Sequence, residues 1–82
     1  MGTAEEAAAS KVQEIRTIVS RDNWKLNYST VGEHELFDLN DDPHERVNLF
    51  GAPEYAAKAR ELAQRIRNWQ RRTNDELKLP RL

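Results

Sequence analysis

The chain has 82 residues, 38% apolar and 33% charged, which is room for one small domain that is marginal unless its core is well made. It has no Cys, so neither a disulfide nor a thiolate metal site can reinforce that core, and no apolar run approaches the roughly 20 residues that span a bilayer. The net charge of −1 is uneven: residues 33–45 hold six acids and no Lys or Arg, whereas residues 54–72 hold six bases and two acids, so the two stretches are expected to lie close and neutralise each other.

Residues 1–10 are rich in Ala and Glu without larger apolar anchors, and read as a flexible or weakly helical lead-in. They lack the basic start and apolar stretch of a signal peptide. Residues 12–20 are β-branched, with Ile15, Thr17 and Val19 on one face, and predict a first strand. Arg21-Asp22-Asn23 has turn chemistry, because Asp and Asn tolerate a left-handed backbone and bond to nearby amides. Trp24, Leu26 and Tyr28 alternate with Lys25, Asn27 and Ser29, predicting a half-buried second strand that pairs with the first as a hairpin.

Gly32 marks the next loop, and residues 34–39 predict a third strand with Phe37 and Leu39 on its packed face. Leu36 falls on the other face, which implies cover on both sides. Asp42-Pro43-His44-Glu45 has the layout of a capping box, with Asp42 as N-cap, Pro43 at the first helical position and Glu45 at the third. Val47, Leu49 and Phe50 follow as anchors, and Gly51 ends the segment. From Pro53 a long helix is predicted, with the apolar stripe Tyr55, Ala59, Leu62, Ile66 and Trp69 packed on one sheet face and Thr73-Asn74-Asp75 closing it. Residues 77–82 form a tail whose Leu77, Leu79 and Leu82 are candidate anchors onto a neighbour. The fold class is therefore α+β: a small antiparallel sheet of three to four strands against one long C-terminal amphipathic helix.

Few side chains are arranged for chemistry. His34 and His44, with Asp38, Asp41, Asp42 and Glu45 close in sequence, invite a metal site, but their spacing matches no zinc, calcium-loop or facial-triad pattern. Asp38 and Glu45 would make an acid/base pair only if buried together, and capping accounts for Glu45 more simply. No nucleophile elbow and no glycine-rich phosphate loop is present. Arg60, Arg67 and Arg71 share one helical line, and Arg65 and Arg72 another, which would suit a polyanion; pairs such as Glu61–Arg65 on a solvated face are the simpler reading. No residue is therefore assigned a catalytic, cofactor-binding or metal role, and neither nucleic acid nor a membrane is expected as a partner.

The ordered pieces Ile15-Arg16-Thr17, Trp24-Lys25-Leu26, Glu35-Leu36-Phe37-Asp38-Leu39, Asp42-Pro43-x-Glu45 and Asn48-Leu49, followed by a helix ending near Trp69, resemble the C-terminal subdomain of sulfatases of the arylsulfatase and N-sulfoglucosamine sulfohydrolase group. Phe37 stands where that family usually has Tyr. The resemblance implies an α+β domain over residues 11–76, packed beside a larger catalytic domain and bordering its substrate cleft. Sulfatases hydrolyse sulfate esters or sulfamates with a formylglycine made from Cys or Ser in Cys/Ser-x-Pro-x-Arg, beside a calcium-type divalent ion. Pro43, Pro53 and Pro80 do not follow Cys or Ser by two positions, so no catalytic or metal residue carries over. The chain alone is expected to be inert and to have the parent's catalytic domain as partner. A stand-alone interaction module, with a homodimer formed through the bare sheet face, is the alternative.

Overall fold

The computed structural model describes residues 13–82, so the lead-in at 1–10 and Val12 lie outside the described residues. Three strands, β1 (Ile15–Val19), β2 (Trp24–Ser29) and β3 (Glu35–Asp38), form an antiparallel sheet in the order β1-β2-β3. A short 3-10 turn (Pro53–Tyr55) leads into the long helix α1 (Ala56–Thr73). The α+β class predicted from the sequence is the fold observed.

The β1–β2 hairpin closes through a bond from the Asn23 amide to the Ser20 carbonyl (3.0 Å), with Asn23 at φ 66°, a turn followed by a left-handed residue. Pairing Ile18↔Leu26↔Leu36 sets the register and puts Arg16, Ile18, Trp24, Leu26, Tyr28 and Leu36 on the helix side. Leu26, Tyr28 and Leu36 meet Ala59, Leu62, Ala63 and Ile66 of α1 in the core. Burying four large aliphatic side chains among these stabilises the domain by about 1.5–3 kcal/mol each, set against the ordering of the chain.

Three expectations are corrected. Leu36, not Phe37, is the core residue of β3. Phe37 lies on the opposite face beside Lys25 yet is only 5% exposed, and Lys25 reaches over that face to Glu45 (2.9 Å) in the loop after β3. No helical turn forms at Asp42-Pro43. Asp42 accepts the amides of Arg46 (3.0 Å) and Val47 (2.9 Å) in an irregular turn, and Glu45 sits at φ 56°, where the helix of a capping box cannot continue. Val47 is exposed, while Leu49 and Phe50 pack on the core.

Asn74 closes α1 in the left-handed conformation (φ 58°), with its amide and that of Asp75 directed to the Gln70 carbonyl. The tail then turns back onto its own domain. Leu79 and Leu82, partly buried, pack against the core, and the Pro80 carbonyl accepts from both Tyr28 Oη and Arg67 (3.0 Å to the latter).

Candidate functional site

The two edges of the sheet differ. Along β3 the edge is closed by side chain and loop together. Asn48 Oδ1 accepts the Leu36 amide (2.9 Å), its Nδ2 donates to the His34 carbonyl (3.1 Å), and the Leu49 amide reaches the Leu36 carbonyl (2.8 Å). The Asn48 amide group thus stands in for a peptide unit of a fourth strand. Among the described residues the β1 edge carries only a long contact from Arg16 Nη1 to the Ile15 carbonyl (3.4 Å). The Ser20 amide bonds to the Trp24 carbonyl and the Thr30 amide to the Glu14 carbonyl, so even-numbered residues of β1 face β2. By antiparallel alternation, the amides and carbonyls of Ile15, Thr17 and Val19 point outward.

Beside that open edge runs a groove of about 390 Å³ between β1 and α1. Ile18, Ile66 and Trp69 supply its apolar surface, and Arg16, Arg65 and Arg72 its charge. Trp69 is 43% exposed, which corrects the expectation that the whole helical stripe packs on the sheet. The stripe outruns β1: Ile66 is buried and Trp69, a turn further on, stands over the groove. The Arg16 guanidinium forms a bidentate pair with Asp75 (2.7 and 2.9 Å). That pair and a bond from Gln70 hold the Asp75 carboxyl far below the usual carboxylate range, and Asp75 in turn raises Arg16. Arg65 leans on Glu61 (3.3 Å), whereas Arg72 has no hydrogen-bond or ion-pair partner among the described residues.

The remaining candidate residues serve structure. His34 is buried between the rings of Tyr28 and Phe50, both edge-on, and its Nδ1 accepts the Ser29 amide (3.0 Å). Burial lowers its pKa, so the neutral ring with its proton on Nε2 fits the site. Asp38 accepts from Asn40 (3.0 Å), Asp42 holds its turn, and His44 is exposed, so the acids and imidazoles that lie close in sequence do not converge. Among the described residues no three His, Asp or Glu side chains gather where they could hold a metal ion. No ion pair among these residues joins the acidic stretch at 33–45 to the basic helix, contrary to the expected neutralisation. Lys25 takes Glu45, and Lys58 takes Asp22 (2.8 Å) and Glu61 (3.4 Å). The Lys58 bond, with that of Ser20, lowers the Asp22 pKa to about 2.

The outer sheet face carries a polar ladder, Thr17 to Asn27 (2.7 Å) and Asn27 to Glu35 (2.9 Å), flanked by Ile15 and Val19, 41% and 53% exposed. Sequence reasoning found the Arg65/Arg72 line but missed the groove. Its signal was the extension of the apolar stripe to Trp69 past the end of a five-residue strand.

Comparison with known proteins places two relatives beside this geometry. The chain is 40% identical over 48 residues to an N-acetylglucosamine-6-O-sulfatase of Bacteroides thetaiotaomicron, covering 58% of this chain and 9% of that protein. It is 38% identical over 53 residues to the multifunctional alkaline phosphatase superfamily protein PehA of Trinickia caryophylli, covering 65% of this chain and 10% of that protein. The chain thus matches about a tenth of the length of these curated relatives. No family model matches it, and no solved structure does.

Proposed function

We propose that this chain is the non-catalytic C-terminal subdomain of a sulfatase-like sulfuric ester or sulfamate hydrolase, packing on the catalytic domain and bordering its substrate cleft. The observation that carries this reading is the pair of matches to a sulfatase and to an alkaline phosphatase superfamily protein, both several times its size, each match confined to about a tenth of the relative. The composition agrees: there is no Cys, and no Ser stands two positions before a Pro, so the formylglycine precursor of a sulfatase has no counterpart in these 82 residues. The parent would supply the formylglycine and its divalent ion, and this piece would supply scaffold. The motif run Glu35 to Leu49 fits such a role, since Leu36, Asn48 and Leu49 bind the third strand to the loop that leads into α1.

Two measurements test the reading. The purified chain is expected to give no turnover of an aryl sulfate above a denatured control. The genomic reading frame upstream of Met1 is expected to continue in frame into a Cys/Ser-x-Pro-x-Arg motif. Turnover by the isolated chain, or an in-frame stop just ahead of Met1, overturns it. A second reading, a self-associating module, is favoured by the outer face, where Ile15 and Val19 stand exposed around the Thr17–Asn27–Glu35 ladder. Light scattering that returns a monomer at every concentration removes it.

A further inference from the structure

We propose that the β1 edge and the groove beside it form a docking site for an extended acidic polypeptide segment, which adds to the sheet as a fourth strand. Three features converge there. The outward amides and carbonyls of Ile15, Thr17 and Val19 offer main-chain pairing along a five-residue strand. The apolar surface of Ile18, Ile66 and Trp69 lies against the same strand and takes every second side chain of an added one. Arg65 and Arg72 rim the groove, and Arg72 has no acidic partner among the described residues.

Charge complementarity selects the occupant. An incoming strand whose groove-facing side chains, every second residue, are acidic and apolar in turn puts its carboxylates toward the guanidinium rim and its apolar side chains on Trp69. Trp and Arg together are the residue types that most often dominate binding at interfaces. The opposite edge is blocked at its middle, because Asn48 and Leu49 already occupy the amide and carbonyl of Leu36 and Asn48 the carbonyl of His34. A linear polyanion such as a sulfated sugar would meet the same arginines but leave the backbone edge unused, so main-chain pairing separates the two. The proposal is independent of the sulfatase-like lineage, and its failure leaves that reading standing.

The test is a titration of the full 82-residue chain with an acetylated, amidated peptide of repeating Glu-Thr-Val-Thr, which puts Glu and Val on the same face, followed by amide hydrogen exchange and NMR. Binding is expected to slow exchange at Ile15, Thr17 and Val19 at least tenfold and to shift the Trp69 indole signal. Arg72→Glu and Trp69→Ala, both at exposed positions, are expected to weaken binding at least fivefold with the melting temperature little changed. A version of the peptide N-methylated on the paired side is expected not to bind. Equal binding of the N-methylated or a Lys-Thr-Val-Thr peptide overturns the proposal, as does binding of a heparin oligosaccharide in place of the peptide with the β1 amides still exchanging. Protection of those amides in the peptide-free chain, by residues 1–12 or by a second copy, overturns it too; removal of residues 1–12 and dilution tell these apart.

Discussion

His34 shows how a side chain that the sequence leaves without a role is explained by its surroundings. In the chain it stands in an acidic run that invites a metal site, though the spacing fits none. In the fold its ring is boxed by Tyr28 and Phe50 and its Nδ1 is committed to the Ser29 amide. Protonation would place a charge in that box and remove the acceptor, so the folded pKa is lowered. The unfolded chain therefore binds a proton more readily than the folded one. Stability is complete above the unfolded value of 6.5 and falls as pH drops below it. Urea midpoints are expected to decline between pH 7.5 and 5, and His34→Gln, which keeps an acceptor, to flatten that slope. An unchanged slope in the variant would show that another group sets it. No spacing rule could have revealed this role, because it depends on which rings the sheet register brings together.

At the level of elements, the strands and the helix were legible because their periodicities are strong. Trp24, Leu26 and Tyr28 alternate cleanly, and Ala59, Leu62, Ala63 and Ile66 repeat at helical spacing. The wrong face was assigned to β3 because Leu36 and Phe37 are both buried, and alternation alone cannot rank two apolar neighbours. The Asp42 turn was misread because capping chemistry is local, whereas the Lys25–Glu45 pair that holds Glu45 spans 20 residues. The junction of β1 with the end of α1 rests likewise on a long-range pair, Arg16–Asp75. Because the Asp75 pKa is lowered, its contribution is complete above its ordinary value of 3.8 and is lost as pH falls below that. Asp75→Asn is expected to lower the melting temperature by a few degrees at pH 7 and by progressively less towards pH 2. Equal deficits at both pH values would assign the effect to packing instead of charge.

At the level of the whole molecule, a three-stranded sheet covered by one helix leaves little core to spare, and the tail completes it. Leu79 and Leu82 close the end of the core, and the Pro80 carbonyl gathers Tyr28 and Arg67. Removal of residues 79–82 is expected to cost about 2–4 kcal/mol, from two partly buried leucines and the acceptor lost to the Tyr28 hydroxyl. In a domain with only about 5–15 kcal/mol to lose, thermal melts should show an early, broadened transition. An unchanged melt would mean that the helix and sheet suffice alone. The sealed β3 edge also limits stoichiometry. A strand laid on β1 finds no second template across the sheet, so pairing stops at one partner or one twofold pair. Fibril growth needs two receptive edges, and the side-chain amide of Asn48 withholds one of them.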